Sequence, residues 1–193
     1  MKLALYGYGG HAREVAAQIG EKVTFFVDDE YSNDIAKPLS LFDPKKYHMM
    51  IAVGDSKARF DIVQKLPKET VYFTFIHSTA LILDDNIEVG EGSFIGAYSI
   101  LTTNIKIGKH ALLNRGNQIG HDTTIGDYFS AMPGAIVSGD CKIYDCVYIG
   151  TNASVKEKTS IHSLSTIGMN GCVSKNIDQP GIYLGVPAHK IKD

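Results

Sequence analysis

The stretch from Leu83 to Val173 repeats in steps of six, and this period restricts the fold more than any other feature of the chain. Leu83, Val89, Ile95, Leu101, Ile107, Leu113, Ile119, Ile125, Ala131, Val137, Ile143, Ile149, Val155, Ile161, Ile167 and Val173 are all apolar, with no step skipped and no residue inserted. A helix repeats at about 3.6 residues and a strand at about 2, so neither a surface helix nor a simple sheet follows. The period fits a parallel β-helix whose turns carry three short flat faces, each with one aliphatic side chain pointing inward. Gly90, Gly96, Gly108, Gly120, Gly126, Gly150 and Gly168 stand directly after the aliphatic residue, where the expected role of glycine is to let the chain turn. Four positions after the aliphatic residue the side chain is usually small, as at Ser93, Ala111 and Ala153, and is expected to point into a corner. Ile105, Asn117 and Phe129 break that rule, and Met132 and Tyr144 replace the glycine; these sites are expected to bulge or to face something outside the coil. Three sextets per turn give about five coils, a column roughly 24 Å tall at a strand spacing of about 4.7 Å. Each coil buries its inner face only against its neighbours, so the ends need covers.

The chain before the repeat is organised differently. Residues 2 to 6 (KLALY) read as a buried strand, followed by Gly7-Tyr8-Gly9-Gly10-His11 and a helix over 12–19. A strand over 23–27 ends at Asp28-Asp29, and a loop with Pro38 and Pro44 follows. A third strand over 48–53 closes at Gly54-Asp55. A helix over 56–66 then places Ala58, Ile62, Val63 and Leu66 on one side, and a last strand covers 71–76. The order β-α-β-β-α-β predicts a small, mostly parallel sheet. The fold class is therefore an α/β half-Rossmann domain over residues 1–76, followed by a β-helix with a C-terminal tail over 77–193. The segment 77–82 is too apolar for a flexible linker, so rigid packing of the two parts is expected. After Val173 come the turn Gln179-Pro180-Gly181, a short strand from Ile182 and a basic tail.

Gly7, Gly9 and Ala12 match G-x-G-x-x-G/A between a strand and a helix. Such a turn lets the backbone approach a ligand closely and leaves N–H groups at a helix N-terminus that attract phosphate. The chain lacks the second half that holds a nicotinamide, so a nucleoside diphosphate is the better fit. Asp28 or Asp29, at the end of the second strand, is placed to accept hydrogen bonds from a ribose or a base edge. The plain alternative is that the glycines only make a tight turn.

A net charge of −2 without a clustered basic face argues against a nucleic-acid partner. Apolar runs fall far short of the roughly 18 residues a spanning helix needs, which argues against a membrane. The N-terminus carries no signal-peptide pattern, so a cytoplasmic location is expected. Cys141, Cys146 and Cys172 are expected to be free thiols, and no metal site is expected. Among seven histidines, His121 stands out because Asp122 follows it in mid-column. A neighbouring carboxylate fixes the tautomer of an imidazole and raises its basicity, so His121 is the candidate general base.

The glycine-rich GYGGHA start, the VDD after the second strand, the IAVGD after the third, the sextets, Gly120-His121-Asp122 and the closing GVPAHKI occur in this order. The chain thereby resembles, over nearly its whole length, the hexapeptide-repeat sugar acetyltransferases of the sialic-acid O-acetyltransferase type. The nearest resemblance is to the nucleotide-amino-sugar N-acetyltransferases of bacillosamine and perosamine synthesis. The resemblance implies a left-handed coil, an exception to the right-handed preference of parallel crossovers. It implies a homotrimer with acetyl-CoA as co-substrate lying between neighbouring columns. It also implies a nucleotide-linked amino sugar, UDP-linked by preference, held by the N-terminal domain. His121 and Asp122 match the catalytic base and its acidic partner. Gly9, Gly10, His11, Asp28, Asp29, Gly54, Asp55 and Asn114 fall where the substrate is held. Ser130, Gly150, Asn152, Gly168, Gly185, Val186, Pro187 and Lys190 fall where the family binds CoA. Several relatives carry a histidine where this chain has Ser130, which puts that oxyanion contact in doubt. Direct transfer to the sugar 4-amino group is expected, with sugar O-acetylation and a non-enzymatic scaffold as the alternatives.

Overall fold

The computed structural model describes residues 1–192. β1 (Lys2–Tyr6), α1 (Gly10–Ile19), β2 (Val23–Val27), β3 (Ala36–Pro38), β4 (Tyr47–Ile51) and α2 (Ser56–Lys65) make the N-terminal domain. Its sheet is parallel throughout, in the order β3-β2-β1-β4. The strands read as continuous apolar runs because helices cover both faces. On one face Ala12, Val15 and Ile19 of α1 meet Leu5, Met50 and Ala52. On the other, Ile62 of α2 meets Ala4, Phe26 and Met49. Alternation along β1 and β4 sends successive side chains to opposite faces.

Two expectations for this domain change. The loop containing Pro38 holds strand β3, and proline is tolerated there because β3 is an edge strand. The stretch 71–76 does not complete the sheet. Tyr72 makes a single parallel bridge to Met49, and Phe75–Ile76 pairs instead with Phe94–Ile95 as the first rung of the column.

The rest of the chain is a left-handed parallel β-helix, with strands of mostly two residues stacked in three sheets. The first face carries the rungs 88–89, 106–107, 124–125, 142–143 and 160–161. The second carries 75–76, 94–95, 112–113, 130–131, 148–149 and 165–167, and the third carries 81–82, 100–101, 118–119, 136–137, 154–155 and 172–173. Rungs pair at a spacing of 18 residues, as Lys106 does with Thr124 and Leu112 with Ser130. Ile95, Leu101, Leu113, Ile149, Ile161 and Ile167 are completely buried in the resulting core. The tail does not trail away. Gly181–Leu184 adds to the second face and pairs antiparallel with His189–Lys192, while Ile177, Tyr183 and Ala188 pack against the core of the column.

The phase and the corners differ from expectation in three ways. Ile82, not Leu83, pairs with Leu101, so one extra residue precedes Val89 and Leu83 is 61 % exposed. The turning residue is not the glycine after the aliphatic position. It is the third residue after it, which adopts φ between 50° and 62° at Tyr98, Asn104, His110, Asp122, Tyr128, Asp140, Cys146, Asn152, Lys158, Leu164 and Asn170. The glycines answer to close stacking instead: a Cβ on Gly90 would lie 2.5 Å from the carbonyl carbon of Gly108 in the next coil. Finally, Ile105, Asn117 and Phe129 neither bulge nor face outward; all three are fully buried and the 18-residue register continues past them.

The three faces present different surfaces. The first is polar, with Glu88, Lys106, Thr124, Lys142 and Ser160 pointing out, and its flanking salt bridge Lys106–Glu88 spans 3.1 Å. The second lies under the N-terminal domain at Phe94, Leu112 and Ser130, all buried. The third is uncovered, although Leu81 and Ile136 are 52 % and 39 % exposed on it.

Arg59 of α2 fastens the domain to the column. It is 1 % exposed, and its guanidinium donates to five carbonyl oxygens. Those of Val53 (2.7 Å) and Gly54 (3.1 Å) belong to the β4–α2 turn. Those of His110 (3.1 Å), Tyr128 (2.9 Å) and Phe129 (2.8 Å) belong to two successive coils. Burial lowers its pKa to about 10, still well above neutrality. Among the described residues, no helix is long and apolar enough to cross a membrane.

Candidate active site

β1 and β4 lie side by side, and their connections leave to opposite faces of the sheet. A crevice therefore opens at their carboxyl ends, where open α/β sheets bind ligands. Gly7 turns there with φ +110°, and a Cβ on it would lie 3.2 Å from the carbonyl oxygen of Ala52. Gly9 is the N-cap of α1 and supplies no side-chain cap, so the first N–H groups of the helix remain open to an anion. A Cβ on Gly9 or Gly10 would meet nothing within 4 Å beyond its own chain neighbours and helix backbone. His11 follows in the first turn, with Nε2 buried and unpartnered and Nδ1 3.8 Å from Glu14. Burial, opposed by the nearby Glu14 carboxylate, lowers its pKa from the ordinary imidazole value.

A cleft of about 420 Å³ beside this turn is lined by Tyr6, Gly7, Gly9, Asp28, Tyr31 and Asn33. Asp28 faces it. Asp29 turns away and accepts from the Ser40 backbone N–H at 2.9 Å, a bond that lowers the pKa of its carboxyl. Gly54 and Asp55 close the crevice on the β4 side. Asp55 caps α2 by accepting from Ala58 N–H at 2.7 Å. Asn114 is buried at the corner between the second and third faces, and its Oδ1 accepts from Arg115 N–H at 2.8 Å. Arg115 reaches Glu14 of α1 at 3.2 Å, which ties that corner to the crevice.

His121 and Asp122 stand elsewhere, on the edge between the third and first faces. Nδ1 of His121 lies 2.8 Å from Oδ2 of Asp122. An ionised carboxylate only accepts, so Nδ1 carries the proton and Nε2 presents a lone pair. The other carboxylate oxygen accepts from Asn104 Nδ2 at 2.7 Å, one coil earlier. Asn104 is held by its own N–H, which donates to Asp84 at 3.1 Å, and Asp84 also accepts from the Thr103 hydroxyl. Hydrogen bonds from Asn104 first, then from His121, keep the Asp122 carboxyl below its ordinary range. On the other side the imidazole rests on Gly139 of the next coil: a Cβ there would lie 2.5 Å from Nε2.

The residues expected to meet CoA divide. Gly150, Asn152, Gly168 and the Gly185-Val186-Pro187 turn line the edge between the second and third faces, and Lys190 lies on the last strand. That edge is flat, since a Cβ on Gly150 would lie 2.6 Å from Met169 N. It is also apolar at its rim, with Met169 73 % and Val186 75 % exposed. Ser130 does not join it. Ser130 is fully buried beneath the N-terminal domain, donates to Gly54 O at 2.8 Å and accepts from the Ser56 hydroxyl at 2.9 Å. Its hydroxyl is thus committed to the domain interface.

The structure therefore brings Gly9, Gly10, His11, Asp28, Gly54, Asp55 and Asn114 to one side of the column, next to the second–third edge. His121 and Asp122 stand across the third face from them. Asn104, Gly139 and Arg59 were not legible as site residues. The signal for the first two is the coil period: 18 residues from Asp122 and His121 lie Asn104 and Gly139.

Residues 2–66 match the PglD N-terminal domain family. Over 171 residues the chain is 24% identical to GDP-perosamine N-acetyltransferase of Escherichia coli O157:H7, covering 79% of this chain and 77% of that one. The solved structure of WeeI from Acinetobacter baumannii AYE superposes with a TM-score of 0.88 at 29% identity, covering 99% of this chain and 100% of that one. PerB from Caulobacter crescentus, solved with CoA and GDP-perosamine, also superposes with a TM-score of 0.88, at 21% identity over 99% of this chain and 97% of that one. The chain thus carries a PglD N-terminal domain over residues 2–66, set on a left-handed hexapeptide column, and is similar over most of its length to sugar N-acetyltransferases.

Proposed function

We propose that this protein is an acetyl-CoA-dependent N-acetyltransferase that acylates the amino group of a nucleotide-linked amino sugar, with His121 as general base. One observation carries the reading. The His121–Asp122 pair, with a free Nε2, stands on the border of a column face that is uncovered in the single chain and carries Leu81, Ile100 and Ile136 beside Gln118 and Ser154. Three such faces turned toward one axis form a closed ring through heterologous contacts. Each ring contact then sets the third–first edge of one protomer, with its His121, against the second–third edge and crevice of the next. A homotrimer completes the site in this way.

The parts support that assignment. The open N-terminus of α1 suits a diphosphate, and Asp28 is positioned for the nucleoside. The flat second–third edge, with exposed Met169 and Val186 beside the basic last strand, suits the pantetheine arm and phosphates of CoA. The perosamine enzymes found similar above act, by name, on a GDP-linked sugar. The expected preference for UDP gains nothing from them.

The chemistry follows from the free Nε2. The sugar amine attacks the thioester carbonyl while His121 Nε2 takes its proton. The resulting imidazolium is stabilised by Asp122 and returns the proton to the sulfur as the C–S bond breaks. Holding both substrates in one groove contributes much of the rate through proximity. Backbone N–H groups along the edge are the donors for the oxyanion.

The test is acetyl transfer by the purified protein from acetyl-CoA to GDP- and UDP-linked 4-amino sugars, followed by mass spectrometry. An amide product with at least one of them supports the reading. An ester product points to O-acetylation, and no product together with no acetyl-CoA binding leaves a scaffold.

A further inference from the structure

α1 runs along the edge between the second and third faces and touches it at two heights. His11, Glu14 and Gln18 follow one another at steps of three and four residues, which puts them on one stripe of the helix. Gln18 Oε1 accepts from the Ala97 N–H at 2.9 Å. One turn earlier, Glu14 Oε1 lies 3.2 Å from Nη1 of Arg115. Ala97 and Arg115 occupy the same corner of two successive coils, where the Gly116 N–H donates to Ala97 O at 2.8 Å. Four residues of helix rise about 6 Å and coils stack about 4.8 Å apart, so the two contacts keep in step. The other oxygen of Glu14 lies 3.8 Å from Nδ1 of His11. One carboxylate thus faces the crevice histidine on one side and the column on the other.

We propose that Glu14 is a positioning residue for the transfer: paired with His11 and Arg115 together, it fixes the height of the α1 N-terminus against the coil that carries His121. The inference rests on the proposed function and adds to it the part that sets acceptor against base. Arg115 belongs to the His121 coil, since the corner 114–116, the rung 118–119 and the corner 120–122 follow one another around it. A three-fold rotation about an axis along the columns changes no height. The His121 that serves a crevice therefore stands level with the Arg115 beside that crevice. A diphosphate held on the α1 N-terminus moves with the helix, and a helix that slides along the edge carries the amine off the level of the base. Arg59 grips the column from α2, which covers the opposite face of the sheet, and leaves the α1 side to this pair. Glu14 and Arg115 are 48 % and 53 % exposed, and ion pairs so placed contribute little to stability. The pair thus serves placement rather than folding.

The experiment compares wild type with Glu14→Gln, Arg115→Met, Arg115→Lys and the double variant Glu14→Gln/Arg115→Met, using acetyl-CoA with GDP-perosamine and with a UDP-linked 4-amino sugar. The expected result is a fall of about tenfold in kcat for Glu14→Gln and for Arg115→Met, with KM for the nucleotide sugar and Tm near wild type. The double variant falls no further than Glu14→Gln alone, because both changes remove one interaction. Arg115→Lys recovers most of the kcat lost in Arg115→Met. Titration of His11 by NMR gives a reading independent of activity. Burial and Arg59 oppose charge on that ring while Glu14 favours it, so Glu14→Gln lowers the His11 pKa further. An unchanged kcat in the single variants overturns the assignment, as do multiplied losses in the double variant or a loss of kcat that follows a fall in Tm. If wild type transfers no acetyl group to either acceptor, it is the function that fails, and an unmoved His11 pKa in Glu14→Gln then overturns the role of Glu14 separately.

Discussion

Asn104 Nδ2 donates to Oδ1 of Asp122 at 2.7 Å across a coil boundary, and this bond decides which oxygen Asp122 turns toward His121. Asn104 is thus a positioning residue for His121, the proposed base. A hydrogen bond to a charged group contributes roughly 1.5–3 kcal/mol. Asn104→Leu is expected to lower kcat about tenfold or more on that scale, with both KM values near wild type. Steady-state kinetics with a thermal melt on the same sample is the check; an unchanged kcat with a lowered melting point assigns Asn104 to stability alone.

Gly139 offers a sharper probe of the same ring. A methyl at that position would lie 2.5 Å from His121 Nε2, so Gly139→Ala displaces the imidazole while Asp122 stays in place. Gly139 has an ordinary backbone φ, so the substitution carries no left-handed strain. A misplacement of about 1 Å costs on the order of a hundredfold in rate. The expected outcome is a loss of kcat of that order with the thermal midpoint nearly unchanged, read by kinetics and calorimetry on the same sample.

Arg59 tests the joint between the two parts. Arg59→Met leaves five carbonyl oxygens without their donor, two of them at the turn that closes the crevice. Unsatisfied buried groups cost about 1–3 kcal/mol each, partly relieved by other donors such as the Leu112 N–H on Phe129 O. A stability loss of several kcal/mol is expected, on the order of 3. Denaturant unfolding is expected to split, with the N-terminal domain lost before the column. A single unshifted transition would contradict the staple.

His110 supplies a pH prediction. It is buried between the rings of Tyr72 and Tyr128, at centroid distances of 4.5 and 5.2 Å, and its Nδ1 has no partner. Burial first, with Arg59 and Lys109 also acting against charge and Glu91 and Asp127 acting for it, lowers its pKa to about 4. The folded chain therefore holds a neutral ring where the unfolded chain binds a proton below about pH 6.5. Stability is present above that value and declines as pH falls toward 4, by a total of about 3 kcal/mol. His110→Phe is expected to flatten the decline between pH 6.5 and 4 in a denaturation series.

The sequence made the column legible because an inward aliphatic residue recurs in every face from Val89 onward, and only the core tolerates so strict a period. It misplaced the first coil, since Leu83 and Ile82 are both aliphatic and only pairing tells them apart. It misread the glycines because turning and close stacking favour the same residue. Asn104 and Gly139 escaped because their meaning lies 18 residues away, in the adjacent coil. Arg59 escaped because an arginine on a helix is expected in water, and only the carbonyls of a second domain make its burial tolerable. The crevice glycines were legible from their place between strand and helix, whereas Ser130 was assigned by likeness to relatives and proved to be packed under Gly54.

The central claim is that His121 of one chain serves the crevice of another. Mixed trimers test it most directly. His121→Asn chains are combined with Gly9→Phe chains, whose crevice is blocked, and acetyl transfer to the nucleotide sugar is measured before and after mixing. Each variant alone is expected to be inactive, and the mixture to recover activity, because a mixed trimer contains an intact His121 facing an intact crevice. Mixed trimers that form, by mass, and yet stay inactive would contradict a site shared between protomers.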